Sequence, residues 1–217
     1  MSEYEVVAEY SNNIRELVQS GRYEKYILEM MNLSKIVFPH TYSHIDKQSD
    51  GECDIVDDQN GEQYDAKLPF NKKIGRMIGS NNSDYFEWTK AMLNFSNEYS
   101  ECFSKGKRIE DVEGIQLYSI MKRRLQDVKA DEKAIFFFPF PVVLSSGSVF
   151  EQFSLDAIGA VYEALEQSGY VKNDVFCIYP GMDKGYMILR NLRTLQREYF
   201  KYEKLNQFFT YDMQRLF

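Results

Sequence analysis

Two short hydrophobic runs within residues 52–70 flank the dipeptide Asn60-Gly61, and this arrangement constrains the fold more than any other feature of the chain. Asn-Gly between β-like runs predicts a hairpin with a two-residue type I′ turn, because both central positions of that turn need positive φ. The sequence therefore predicts that Asp54 lies directly opposite Lys67, and that Val56 lies opposite Asp65.

The predicted hairpin carries its charges on one face, because side chains alternate across a strand. That face consists of Asp54, Val56, Asp65 and Lys67. The other face is apolar and is predicted to meet the core; it consists of Cys53, Ile55, Tyr64, Ala66 and Leu68. Asp54 and Asp65 are diagonal neighbours at about 7–8 Å in this register. Both carboxylates can then reach one cation of the magnesium or manganese type, whose preferred ligands are oxygens.

The series of Asp54, a turn, and then Asp65-Ala66-Lys67 resembles the signature of the PD-(D/E)XK nuclease superfamily, the restriction-endonuclease-like fold. In that family the first acid lies on one strand, and the second acid and the lysine lie two residues apart on the neighbouring strand. The resemblance implies metal-dependent cleavage of a phosphodiester bond in nucleic acid, with DNA favoured over RNA. Asp54 and Asp65 would bind Mg²⁺ or Mn²⁺, and Lys67 would position or activate the attacking water.

The resemblance also implies a further acid on the helix before the sheet. Glu29 is the first candidate for this acid and Glu24 is the second.

The order of the predicted elements agrees with a restriction-endonuclease-like core over about residues 12–140. The predicted fold class is α/β, with a central mixed β-sheet flanked by helices, in a single domain of residues 1–217. A C-terminal elaboration covers residues 145–217. The main predicted elements are a helix at 22–35, an extended edge segment at 35–45, the hairpin, helices at 83–103 and 115–128, a buried strand at 133–138, a helix at 155–167, strands at 174–179 and 185–190, and a last helix at 197–217.

The composition indicates an ordinary globular protein, with 44% hydrophobic and 15% aromatic residues. No apolar run reaches the length of about 18 residues that a membrane span needs. The N-terminus lacks the layout of a signal peptide, and the three cysteines form no CxxC pair. These features predict a cytoplasmic protein without a membrane partner. The formal charge of −7 argues against non-specific coating of nucleic acid, although a local basic groove is compatible with it.

Two basic clusters are candidates for contacts with nucleic-acid phosphates. The first follows the hairpin and consists of Lys72, Lys73 and Arg76; the second lies on the helix at 115–128 and consists of Lys122, Arg123 and Arg124. Each cluster taken alone is equally typical of a solvated helix face.

A function of another class stays open from the sequence. The chain could be a non-catalytic interaction or regulatory protein, for example a component of a defence system, that retains a nuclease-like fold. Asp54 and Lys67 would then be an ordinary cross-strand ion pair.

The last predicted helix ends with the apolar side chains Phe208, Phe209, Tyr211, Leu216 and Phe217. This ending predicts a homodimer formed through that helix. His40 and His44 are interpreted as polar strand residues, because a transition-metal site would need a further ligand and a setting that Pro39 does not favour.

Overall fold

The computed structural model of this protein describes residues 16–17, 23–45, 53–68, 112–138, 148–181, 183 and 185–206. In chain order the described elements are α1 (Tyr23–Leu33), β1 (Tyr42–His44), β2 (Ile55–Asp57), β3 (Gln63–Lys67), α2 (Gln116–Leu125), β4 (Glu132–Phe137), α3 (Ser148–Gln167), β5 (Val175–Pro180), β6 (Tyr186–Asn191), β7 (Arg197–Lys201) and a 3₁₀ turn (Glu203–Leu205).

The strands form one mixed sheet in which the spatial order equals the chain order, β1 to β7. Strand β2 is antiparallel to both β1 and β3. Strands β3, β4 and β5 run parallel, and β6 is antiparallel to both β5 and β7. The two parallel connections contain α2 and α3, as parallel pairing requires a crossover. The prediction of an α/β fold with a mixed sheet flanked by helices is confirmed.

Helix α1 covers one face of the sheet. Its buried side chains are Tyr26, Ile27, Met30 and Met31, at the spacing of one apolar helical stripe. They pack against alternate residues of the strands, among them Ile55, Tyr64, Ala66, Ile135, Phe176 and Leu189. The apolar face predicted for the hairpin therefore meets this core.

Helices α2 and α3 cover the opposite face. The second core contains Leu117, Met121, Leu125, Val161 and Leu165 from the helices, and Ala134, Phe136, Cys177, Tyr179 and Ile188 from the strands. Because side chains alternate along β3, Asp65 and Lys67 point to this second face, between the apolar residues that point to α1. The fold thus places both charged groups on the α2–α3 side of the sheet.

The segment after α1 is tied to the far edge strand β7 through Glu198. The Glu198 carboxylate accepts hydrogen bonds from the Ser34 hydroxyl at 2.5 Å and from the backbone N–H groups of Lys35 and Ile36 at 2.9–3.0 Å. Burial raises the pKa of Glu198, but these donors outweigh it and hold the pKa below its ordinary value. The contact joins the end of α1 to the last strand of the sheet.

Two predicted helix boundaries are wrong. The helix predicted over 197–217 starts instead with strand β7 at 197–201 and the 3₁₀ turn at 203–205. The strand β7 pairs with β6 along its whole length. This tertiary pairing overrides the helical pattern of the local sequence. The helix predicted to begin at 155 begins at Ser148.

Several sequence predictions fall outside the described residues. They concern the helix at 83–103 and the apolar ending at 207–217, with the dimer interface predicted there. Among the helices that the structure describes, none is both long enough and apolar enough to cross a membrane.

Candidate functional site

The β2–β3 hairpin has a longer loop than the sequence predicts, so the predicted pairing of Asp54 with Lys67 is wrong. Ile55 pairs with Tyr64, and Val56 pairs with Gln63. The Asp57 N–H donates to the Glu62 carbonyl at 2.9 Å, which leaves four residues in the loop, 58–61. The register is therefore shifted by two positions from the prediction. A shift of two preserves the face of every side chain, so Asp54 still shares its side of the hairpin with Asp65.

The longer loop has a local cause in Asp57. Its carboxylate accepts the Gln59 N–H at 2.9 Å, a short-range bond that turns the chain immediately after β2. Gly61 is the loop residue with positive φ, at 75°, whereas a type I′ turn would also place Asn60 in that region. The turn chemistry of Asp57 thus outweighs the Asn-Gly signal.

Asp54 lies at a bulge where β2 begins. Its N–H donates to the Tyr64 carbonyl at 3.1 Å, although Ile55 is the register partner of Tyr64. Two residues of β2 therefore face one residue of β3, as in a β-bulge. The Asp54 side chain then takes a place in the sheet ladder, because its Oδ2 accepts the Ala66 N–H at 2.8 Å. This buried bond fixes the carboxylate beside β3.

Asp54, Asp65 and Lys67 form one compact cluster, which we call the carboxylate–lysine cluster. The Asp65 carboxylate is ion-paired with Lys67 Nζ, and Asp54 lies close enough to Asp65 to raise its pKa. Asp54 is 2% exposed and Lys67 is 9% exposed. The cluster thus holds two neighbouring carboxyl groups and one ammonium group.

The electrostatics of the cluster are dominated by burial. The pKa of Asp65 is raised from 3.8 to about 6. Burial is the largest cause, Lys67 opposes it, and the neighbouring Asp54 adds to it. Two carboxyls in contact cannot both ionise without mutual repulsion, which a single ammonium group offsets only in part. A second positive charge at this place would therefore be stabilised.

Tyr23 adjoins the cluster, and the sequence did not indicate it. Burial raises the pKa of the Tyr23 hydroxyl at the start of α1, and Glu24 and Asp54 raise it further, whereas Arg124 of α2 lowers it. Glu24, Asp54 and Arg124 thus all lie within electrostatic range of Tyr23. No local pattern indicates this proximity, which depends on the packing of α1 and α2 at one edge of the sheet.

Glu29, the first candidate for the helix acid, lies elsewhere. Its carboxylate accepts the Tyr202 hydroxyl at 2.6 Å and Lys204 Nζ at 2.7 Å, next to the 3₁₀ turn after β7. These contacts hold the pKa of Glu29 below its ordinary value, although burial raises it. The second candidate, Glu24, lies 3.4 Å from His44 Nε2 and, like Asp54, within electrostatic range of Tyr23.

The basic cluster on α2 is divided among different neighbours. Lys122 Nζ lies 4.3 Å from the centroid of the Tyr170 ring, and Arg124 pairs with Asp127 at 3.6 Å. Arg123 is exposed. Residues one and two apart on a helix point in different directions, so the three do not form one basic surface. The other predicted cluster, Lys72, Lys73 and Arg76, lies outside the described residues.

Both histidines near β1 have acidic partners. His40 Nδ1 lies 2.6 Å from Asp57 Oδ2, and His44 Nε2 lies 3.4 Å from Glu24 Oε2. The two contacts involve different acids. His44 lies in β1 as interpreted, whereas His40 precedes the strand.

The donor set of the carboxylate–lysine cluster fits a hard divalent cation. Mg²⁺ is commonly held by one or two carboxylates, with waters and substrate phosphates completing its octahedron. Asp54 and Asp65 supply two carboxylates in contact. Across the described part of the chain, there is no group of three or more His, Cys, Asp or Glu side chains arranged to hold a metal ion. A metal ion at the cluster would therefore have these two acids as its protein ligands in the described part of the chain.

Comparisons of this chain with protein families, with curated proteins and with solved structures find no match.

Proposed function

We propose that this protein is a metal-dependent nuclease that hydrolyses phosphodiester bonds of nucleic acid. Asp54 and Asp65 would bind Mg²⁺ or Mn²⁺, and Lys67 would assist the attacking water. The observation that carries this proposal is the contact between two buried carboxyls from neighbouring strands, with a lysine ion-paired to one of them.

The closeness of the two carboxyls supports a cation-binding role. A divalent cation beside them would offset the burial and the repulsion by Asp54 that raise the pKa of Asp65. When bound, such an ion supplies Lewis-acid polarisation of a phosphoryl oxygen and lowers the pKa of a coordinated water. The Ala66 N–H, which donates to Asp54 Oδ2 at 2.8 Å, holds one carboxylate in place.

Lys67 is placed to act on oxygen atoms next to the two acids. Its ammonium group carries three N–H donors, of which Asp65 occupies one. The remaining donors can bind a water molecule or a phosphate oxygen on which negative charge develops. Because Lys67 is 9% exposed, these interactions take place where water screens them weakly.

The arrangement of elements around the cluster also supports the proposal. Helix α1 precedes three antiparallel strands, and α2 leads to β4, which runs parallel to β3. This is the order of helix, strand, hairpin, helix and strand that the resemblance to the restriction-endonuclease-like fold implies. We include such a core in the proposal, with β5 to β7 as its C-terminal elaboration.

A second candidate is a non-catalytic interaction or regulatory protein. It is favoured by the ion pair of Lys67 with Asp65, which already satisfies both charges without a metal. In that case the cluster would be a structural feature that joins β2 to β3.

Cleavage assays separate the two candidates. Purified protein is incubated with supercoiled plasmid, single-stranded DNA and RNA, with Mg²⁺, with Mn²⁺, and with a chelator. We expect metal-dependent cleavage that Lys67→Ala abolishes. Lys133→Ala is the matched control, because Lys133 lies on the adjacent strand and pairs with Glu62 at 2.6 Å instead. Equal cleavage by wild type and Lys67→Ala, or no metal-dependent cleavage of any substrate, would reject the nuclease proposal.

A further inference from the structure

Strands β6 and β7 present tyrosines and cations on one face at the edge of the sheet. The register pairs Tyr186 with Lys201 and Arg190 with Arg197. Tyr199 lies on β7 between Arg197 and Lys201. Side chains two apart share a face, so these five residues lie together. We call them the aromatic–basic surface.

The two tyrosines of this surface form a flat stack. The ring centroids of Tyr186 and Tyr199 are 4.9 Å apart, and the ring planes are inclined by 8°. The Tyr199 ring also lies against Gly181, where a Cβ atom would approach its Cε2 to 2.5 Å. The Tyr199 hydroxyl donates to Asp183 at 3.0 Å. Tyr186, Gly181 and Asp183 thus hold in place a ring that is still 46% exposed.

Positive charges lie on both sides of the tyrosine stack. Arg197 and Lys201 are exposed, and each is two residues from Tyr199 along β7. Lys201 pairs with Glu203 at 2.9 Å, but both side chains are about 60% exposed, and such a pair is weak and easily exchanged. The spacing between neighbouring members along β7 is about 7 Å, the rise of two strand residues.

The aromatic–basic surface lies on the same face of the sheet as the carboxylate–lysine cluster. The strand registers connect Lys67, Phe136, Cys177, Arg190 and Arg197 in one row across the sheet. Four strand spacings separate Lys67 from Arg197, which amounts to about 19 Å. The buried Phe136 and Cys177 lie between them, so the two features are separate sites on this face.

We propose that the aromatic–basic surface binds single-stranded nucleic acid. A base would stack on the exposed face of Tyr199, and the flanking phosphates would pair with the exposed Arg197 and Lys201. Aromatic side chains between cations are the usual platform for single strands, since every base has a π-face and each linkage has a negative charge. A duplex keeps its bases stacked on one another and fits this surface poorly. This binding goes beyond the proposed cleavage and does not require it.

Binding of fluorescently labelled twelve-nucleotide oligo(dT) and oligo(U) tests this proposal. Fluorescence anisotropy is measured in a chelator, so that neither metal nor cleavage affects the result. We expect Tyr199→Leu, which keeps an apolar side chain against Gly181, to weaken binding about tenfold. Tyr199→Phe keeps the ring and should bind within about twofold of wild type. Circular dichroism melts of each variant verify the fold.

Salt dependence supplies the second test. A plot of log Kd against log salt concentration should become shallower by about 0.7 in Arg197→Gln, since each phosphate contact with a single strand contributes that slope. Lys25→Gln is the matched control, because Lys25 is an exposed cation on α1, which covers the other face of the sheet. It should leave the slope unchanged.

Four outcomes would overturn the proposal. They are no binding of either oligonucleotide at low salt, equal affinity of wild type and a folded Tyr199→Leu, an unchanged salt slope in Arg197→Gln, and tighter binding of a duplex of the same length. Failure of the cleavage assay would leave these results unaffected, so the two proposals are tested separately.

Discussion

Replacement of Asp65 by asparagine tests the electrostatics of the carboxylate–lysine cluster. Burial, opposed by Lys67 and reinforced by Asp54, raises the pKa of Asp65 from 3.8 to about 6. One unit of pKa corresponds to about 1.4 kcal/mol, so ionisation of Asp65 lowers the stability of the folded protein by about 3 kcal/mol. The Asp65 side chain is 13% exposed, so solvent screens this energy only slightly.

The sign of the pH dependence follows from the direction of this pKa change. The folded protein binds the Asp65 proton more tightly than the unfolded chain does. The stabilising contribution is therefore complete below about pH 4 and is lost as the pH rises through about 6. Asparagine does not titrate. The free energy of unfolding of wild type, relative to that of Asp65→Asn, should fall by about 2.4 kcal/mol between about pH 4 and pH 7.

Urea unfolding of both proteins, followed by circular dichroism at half-unit pH steps without divalent metal, measures this difference. Asp131→Asn removes an exposed carboxyl from the turn before β4 and controls for the loss of one negative charge. A difference between wild type and Asp65→Asn that stays constant, or that rises with pH, would refute the reasoning.

Two further predictions concern the same hairpin. In Lys67→Met, the Asp65 pKa should rise above that of wild type, because Lys67 lowers it; carbon-detected NMR titration measures this, and a lower pKa would contradict the ion pair. Gly61→Ala should destabilise the protein by about 1 kcal/mol, because φ at Gly61 is +75°. Gly159→Ala, in the interior of α3 with no atom within 4 Å of the added Cβ, should instead stabilise it by about 0.5–1 kcal/mol in urea unfolding. Equal effects of the two glycine substitutions would argue against the loop conformation.

Much of the hairpin can be predicted from alternation alone, whereas its register cannot. The apolar residues Ile55, Tyr64 and Ala66 meet the core below α1 as predicted, because a period of two is a property of every strand. The register depends on the loop, and there the side chain of Asp57 competes with the Asn-Gly turn. The shift by two positions changed the partner of Asp54 but not its face.

The surroundings of the cluster depend on contacts that are distant in the chain. Asp54 and Arg124 both come within electrostatic range of Tyr23 only through the packing of α1 and α2 against the sheet. The strand at 197–201 likewise forms against β6, and its sequence, which also suits a helix, does not reveal that pairing. The position of Glu29 depends on the same kind of distant contact, because its partners Tyr202 and Lys204 follow β7.

Calorimetric titration of the protein with Mn²⁺ and with Mg²⁺ tests the central claim most directly, namely that Asp54 and Asp65 form a metal site. Measurements at pH 6 in two buffers of different ionisation enthalpy count the protons that are released. The account predicts binding to one site with release of about half a proton at pH 6, because Asp65 is then half protonated, and loss of that binding in both Asp54→Asn and Asp65→Asn. Absence of metal binding by the wild type, or binding that survives in Asp65→Asn without a change in proton release, would contradict it.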